Sequence, residues 1–227
     1  MGYTTYFTGE VTITPPLNEY EIAYLNSFAD SRRMDRRKGP YHVEPGNDFA
    51  RGSNADVRDF NMPPHGQPGL WCKWVPTDDG GAIEWSGAEK FYDSPEWMKY
   101  LIDTFLKPGA AVQQEMRTLQ GNAALMRLPA SGWTYPEEFK HFTFDHVCNG
   151  EIDADGEASD DRWRLVVRDN VVSVQNGSFV YSDESVVGEG SPATIRVTAT
   201  RADQPDEDLP ALTTGQRALP AAVDLLD

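Results

Sequence analysis

Gly69-Leu70-Trp71-Cys72-Lys73-Trp74-Val75-Pro76, followed by Thr77-Asp78-Asp79-Gly80-Gly81 and then Ala82-Ile83-Glu84-Trp85, is the stretch that decides the fold. Two short runs of aromatic and β-branched residues flank an Asp-Asp-Gly-Gly turn signal, which predicts a hairpin with strands at Leu70–Val75 and Ala82–Trp85. Ser94-Pro95 then opens a helix, since serine suits the N-cap and proline the first helical position. Trp97, Met98, Leu101, Ile102 and Phe105 recur at helical spacing and form a broad apolar face, which Lys107-Pro108-Gly109 closes. From Gly69 to Pro108 the chain carries four of its six tryptophans and one of its two cysteines.

Upstream, Tyr3–Ile13 alternates as a strand does, and Pro15-Pro16 ends it. Asn18 and Glu21 have the spacing of a capping box, and Leu17, Ile22, Leu25 and Phe28 give one apolar stripe, so a helix is expected over 18–29. Residues 39–68 are rich in Gly, Pro, Asn and Asp and read as a long irregular excursion, a kind of loop that is usually functional or disordered. Downstream, Ala111–Leu128 reads as a weaker helix, because Gly121 costs it about 1 kcal/mol relative to alanine. Phe142–Ile152 and Arg162–Arg168 read as strands around an acidic turn, Asp153–Asp161. Asp169-Asn170 marks a tight reversal into a third strand, Asn170–Gln175, and Ser178–Ser185 and Ala193–Arg201 read as further strands.

This order predicts an α+β fold, an antiparallel or mixed sheet with two to three helices packed on one face. The strand-helix-strand-strand-helix-strand portion is compatible with a ferredoxin-like arrangement. The expected organisation is a core over 1–176 with an insertion at 110–140, a β-rich extension over 177–201, and an acidic flexible tail over 202–227.

The 227 residues carry a formal net charge of −16, distributed unevenly. Residues 1–110 hold 11 Lys/Arg against 16 Asp/Glu, whereas residues 111–227 hold 9 against 20. Acidity of this size repels phosphate backbones and argues against non-specific nucleic-acid binding. No apolar run is long enough to cross a membrane, and Met1–Glu10 lacks the pattern of a signal peptide, so a cytoplasmic protein without membrane contact is expected. Cys72 and Cys148 are too far apart for a metal motif and read as two buried, reduced thiols.

Three constellations bear on function. Trp71, Trp74, Trp85, Phe91, Tyr92 and Trp97 are dense enough for a packed core or for an aromatic pocket that stacks a planar ligand. In a strand over Leu70–Val75, Trp71 and Trp74 would face opposite sides. Arg32, Arg33, Arg36, Arg37 and Lys38 stand out against the acidic background; arginine forks suit phosphates or carboxylates, and a solvated helix end is the plainer reading. Glu84, Glu89, Lys90 and Tyr92 supply acid–base groups if they line one cleft, and surface ion pairs if they do not. The acidic turn misses the calcium-loop pattern, the four histidines suggest no zinc site, and neither a metal nor a cofactor is expected. No nucleophile elbow, P-loop, dinucleotide fingerprint, zincin or kinase signature is present.

Several blocks carry a resemblance: Met1-Gly2-Tyr3-Thr4-Thr5, Ser31-Arg32-Arg33-Met34, Pro63–Pro76, Glu84-Trp85, Glu89-Lys90-Phe91-Tyr92, Tyr100-Leu101-Ile102 and Asn149-Gly150-Glu151-Ile152. In these the chain resembles a family of uncharacterised proteins met in actinobacterial and other bacterial genomes and in their phages. The resemblance covers roughly 1–107 and 142–175. It implies a shared fold and a bacterial or phage setting, with the host cytoplasm as location in the latter case, and it brings no activity.

The expected function is that of a non-enzymatic, soluble accessory protein. It would bind a protein partner or a small anionic, nucleotide-like ligand through Arg32, Arg33, Arg36, Trp71, Trp74, Trp85, Glu89, Lys90 and Tyr92. The alternatives are a small enzyme using Glu84, Glu89, Lys90 and Tyr92, and an acidic inhibitor that mimics nucleic acid.

Overall fold

The computed structural model of the chain describes residues 2–43, 54–121 and 135–177. The strands expected at Ser178–Ser185 and Ala193–Arg201, the tail, and the end of the helix expected to reach Leu128 lie outside these residues. The elements are β1 (Thr5–Thr14), α1 (Glu19–Asp30), β2 (Asp35–Arg36), β3 (Val57–Asp59), β4 (Trp74–Pro76) and β5 (Ala82–Trp85). After them come α2 (Ser94–Leu101), a π-helical turn at Ile102–Leu106, α3 (Ala111–Gly121) and a 3-10 turn at Glu137–His141. The chain then forms β6 (Val147–Gly156), β7 (Arg162–Arg168) and β8 (Val171–Asn176).

Six strands form one sheet in the order β4-β5-β1-β6-β7-β8, every pair antiparallel, so the fold is α+β. The connection from β1 through α1 to β4 straddles β5, and that from β5 through α2 to β6 straddles β1. This is the split βαβ arrangement of a ferredoxin-like unit, and β7 and β8 extend it by hairpins. Residues 39–68 are not wholly irregular, since β3 within them pairs with β2 just upstream as a small second sheet.

Period-two alternation in β1 sends Phe7, Val11 and Ile13 to one face, where they are buried, while Glu10 and Thr12 face out. The helices cover the inner face with Leu25 and Phe28 from α1 and Trp97, Met98 and Leu101 from α2, and the Phe28 and Trp97 rings meet edge-on at 6.0 Å. Each such side chain contributes about 2–3 kcal/mol by leaving water. α2 touches β4 at one end of the sheet and β8 at the other, so the sheet curls around it. The outer face is polar, as one face of an antiparallel sheet can be. There Arg164 reaches Asp153 at 2.6 Å and Glu151 at 2.7 Å.

α1 begins as its sequence requires. The Asn18 side chain accepts from the backbone N–H of Tyr20 and Glu21, and the Glu21 carboxylate accepts from the Asn18 N–H at 2.9 Å. Asp169 and Asn170 both take positive φ, 47° and 68°, the two-residue reversal that matches the strand twist.

Three expectations are corrected. The strand expected over Leu70–Val75 is only Trp74–Pro76, because Leu70 C=O accepts instead from Arg33 N–H at 2.9 Å. The strand expected to begin at Phe142 begins at Val147; Phe142 and Phe144 turn into the core, Phe144 with φ 52°. The N-cap of α2 is Asp93 rather than Ser94, in left-handed geometry and without a side-chain capping bond.

Candidate functional site

The fold gathers part of the aromatic set, with Trp74 and Trp85 as cross-strand partners in β4 and β5 and the Trp74 ring 5.0 Å from that of Phe91. Trp74 is buried and its indole N–H donates to Ser94 C=O at 2.8 Å. Trp85 packs its ring against Phe7 and donates to Ala88 C=O at 3.1 Å. Trp71 is half-buried and lines a hollow of about 250 Å³ with Ala29, Lys73, Val75 and Ala88. Of the tryptophan pair in the Leu70–Pro76 segment, one therefore belongs to the core and the other to the surface.

Arg33 and Arg36 are internal. Arg33 is 3% exposed; its guanidinium donates to Pro40 C=O at 2.5 Å, His42 C=O at 2.9 Å and Gln67 Oε1 at 3.2 Å, and stacks 4.0 Å above the Phe28 ring. Burial lowers its pKa from the ordinary value, partly offset by Tyr24 and Tyr100. Arg36 pairs with Asp56 at 3.0 Å, and Arg32 reaches Asn61 at 3.5 Å. Through these bonds the arginines organise the excursion. Glu84, Glu89, Lys90 and Tyr92 are exposed, and among the described residues no hydrogen bond joins any two of them. Lys73 Nζ donates to the Glu89 carbonyl.

Two polar clusters, one buried and one partly buried, escape a sequence reading. In the first, Glu21 and His146, 0% and 1% exposed, meet at 3.1 Å between Oε1 and Nε2. His146 Nδ1 lies 2.7 Å from Pro15 C=O, and Glu21 Oε1 also accepts from Thr143 N–H at 2.8 Å. A carbonyl and a carboxylate facing the two ring nitrogens call for both to carry hydrogen, hence an imidazolium. Burial depresses the His146 pKa, but the Glu21 and Pro15 acceptors outweigh it and the net shift is upward. Burial likewise raises Glu21, and the His146, Asn18 and Thr143 donors bring it below its ordinary value. Every polar atom of this pair has a partner, and it ties β1, α1 and β6 together.

In the second cluster, Glu115 of α3 accepts from Tyr41 at 2.8 Å and Tyr135 at 2.7 Å, clasping two distant segments. Cys72 and Cys148 are free and buried, and burial pushes both thiols up to about 12, which leaves them protonated and unreactive at neutral pH.

A hollow of about 510 Å³ opens at the start of α2, within the range of small-ligand sites. Gly66, Gln67 and Pro68 form one wall, and Asp93, Glu96, Lys99, Tyr100, Asp103 and Thr104 form the other. Gln67 is held in place: its amide donates to Pro40 C=O at 2.7 Å and to Tyr100 Oη at 3.1 Å, while its oxygen accepts from Arg33. Burial pushes the Tyr100 phenol up to about 12, so it stays neutral. Asp103 is neutralised by Lys99 and by Lys107, the latter at 2.5 Å. Among the described residues no ion pair engages Asp93 or Glu96. Asp93 sits at φ 54°, ψ 35°, a conformation that costs a non-glycine residue about 1 kcal/mol. Strain of this kind collects at functional sites.

No family model, no curated protein and no solved structure matches the chain. Among the described residues no helix is long and apolar enough to cross a membrane, and no cluster of His, Cys, Asp and Glu is arranged to hold a metal ion.

Proposed function

We propose that this chain is a non-enzymatic binding protein whose ligand occupies the hollow at the start of α2, in the bacterial or phage setting that its N-terminal blocks imply. The observation that carries this reading is the hollow itself. Two segments distant in sequence wall it, and its rim bears a strained Asp93 and a second carboxylate, Glu96, neither engaged by a cation among the described residues. Those carboxylates favour a neutral or cationic small molecule over the anionic ligand suggested by the arginine segment, whose buried members Arg33 and Arg36 already have partners. On the outer face of the sheet, carboxylates alternate with Arg162, Arg164 and Arg168, so the nucleic-acid-mimicking alternative has less support there.

The test is a ligand-observed NMR screen with nucleotides, polyols and alkylammonium ions, run on the wild type and on Glu96→Trp, which fills the mouth from an exposed helix position. Hits that vanish in Glu96→Trp support the reading. Hits that survive in the variant, or no hits at all, overturn it.

A further inference from the structure

The two edge strands of the sheet are finished differently. β4 is three residues long and ends on Pro76, which has no N–H to offer a further strand. β8 runs for six residues, Val171-Val172-Ser173-Val174-Gln175-Asn176, in unbroken register with β7. It carries no charge, no proline and no bulge, the devices by which a sheet edge is kept from pairing. Val171 pairs with Arg168 across the reversal, and Gly177 N–H donates to Arg162 C=O at 2.9 Å, so the odd-numbered residues of β8 bond to β7. Val172, Val174 and Asn176 therefore turn their N–H and C=O groups outward, and among the described residues no strand meets them. Val174 pairs with buried Leu165 and lies on the apolar face of the sheet, yet it is 46% exposed; Val171, on the other face, is 67% exposed.

We propose that this edge pairs with its own counterpart on a second copy of the chain, antiparallel, about a twofold axis at Val174. An antiparallel edge is self-complementary, which is what a twofold interface requires. With Val174 opposite Val174 of the second copy, Val172 of each copy stands opposite Asn176 of the other, and every outward N–H meets an outward C=O. The two exposed valines at the axis then cover each other. Each copy carries a net charge of −16, but like charges do not meet here. Ser173 and Gln175 face each other across the axis, and the nearest arginines, Arg164 and Arg168, already pair with Asp153 and Glu151. The chain's own continuation makes no tight return at this point. A two-residue hairpin loop starting at Asn176 or Gly177 needs positive φ there, and neither residue has it. The interface is small, so the dimer is weak and concentration-dependent.

The experiment is sedimentation velocity of the full-length wild type over a concentration series, with amide hydrogen exchange read by NMR at its two ends. The expected result is a reversible monomer–dimer equilibrium. As the dimer forms, the amides of Val172, Val174 and Asn176 slow by about tenfold or more, while those of Ser173 and Gln175, already bonded to β7, are slow throughout. Val174→Lys puts two like charges opposite each other at the axis and should weaken association about tenfold or more with the circular dichroism spectrum unchanged. A dimer that forms equally well in Val174→Lys, or one that leaves those three amides exchanging freely, overturns the proposal. So does a wild type that stays monomeric throughout. Slow exchange of the three amides in that monomer would assign the edge to the chain's own residues 178–227, and fast exchange would leave it open to solvent. The exchange measurement needs no variant, so a misfolded Val174→Lys leaves the proposal testable.

Discussion

The Glu21–His146 pair, buried, and the start of α2, where exposed Asp93 and Glu96 stand beside buried Trp97, are polar regions built in opposite ways. In the first, one carboxylate faces the imidazolium, two backbone N–H groups and a threonine hydroxyl, and nothing is left over. In the second, an N-cap aspartate makes no capping bond and an indole N–H finds no acceptor among the described residues. A saturated cluster fixes three elements in place and offers nothing to a ligand. An unsaturated one beside a hollow weakens the fold locally and has hydrogen bonds to give. Position in the fold matches this division: the pair joins β1, α1 and β6 at the middle of the sheet, whereas Asp93 and Trp97 border the excursion.

Breaking the saturated side has the largest effect. Glu21→Ala leaves an imidazolium buried without its counter-charge and is expected to cost about 3–5 kcal/mol of stability, read from urea unfolding midpoints. A loss under about 1 kcal/mol would mean that the pair is not a structural tie.

The pair also shapes the pH dependence of stability. The folded pKa of His146 is raised above its ordinary 6.5, so its contribution is complete below that value and is lost as pH rises through the folded pKa. The folded pKa of Glu21 is lowered below its ordinary 4.5, so its contribution is complete above that value and is lost as pH falls through the folded pKa. Wild-type stability relative to His146→Gln should therefore be greatest between about 4.5 and 6.5 and decline on both sides. A difference between the two proteins that stays flat from pH 5 to pH 9 would contradict the charged pair.

The smallest effect has the opposite sign. Asp93→Gly relieves the left-handed backbone with no capping bond to lose, and should stabilise the protein by about 0.5–1 kcal/mol while weakening binding in the hollow. Destabilisation by this substitution, measured in the same urea titration, would mean that Asp93 serves the fold and not a ligand.

How much of this could be read from the chain follows from the range of each interaction. Asn18 and Glu21 stand three positions apart, and Asp169 and Asn170 are adjacent, so the start of α1 and the β7–β8 reversal are local and legible. The hairpin at Asp78–Gly81 is legible for the same reason. Residues 70–73 have the composition of a strand, but their backbone is diverted by Arg33, from a segment whose course no local pattern reveals. The site is less legible still. Glu21 reads as a helix cap, and nothing nearby announces that His146, 125 residues on, shares its carboxylate. Trp97 reads as core, correctly, and only the folded surroundings show that its nitrogen has no acceptor among the described residues. The arginine run misleads because a cluster of cations looks the same in sequence whether it meets ligand or backbone carbonyls.

A high-resolution crystal structure of the wild type soaked in a hit from the ligand screen puts the contrast to its most direct test. The account requires the ligand in the hollow between Gln67 and Tyr100, with the Glu21–His146 pair unchanged. It is contradicted if the ligand binds only elsewhere, or if the Glu21–His146 contact is absent.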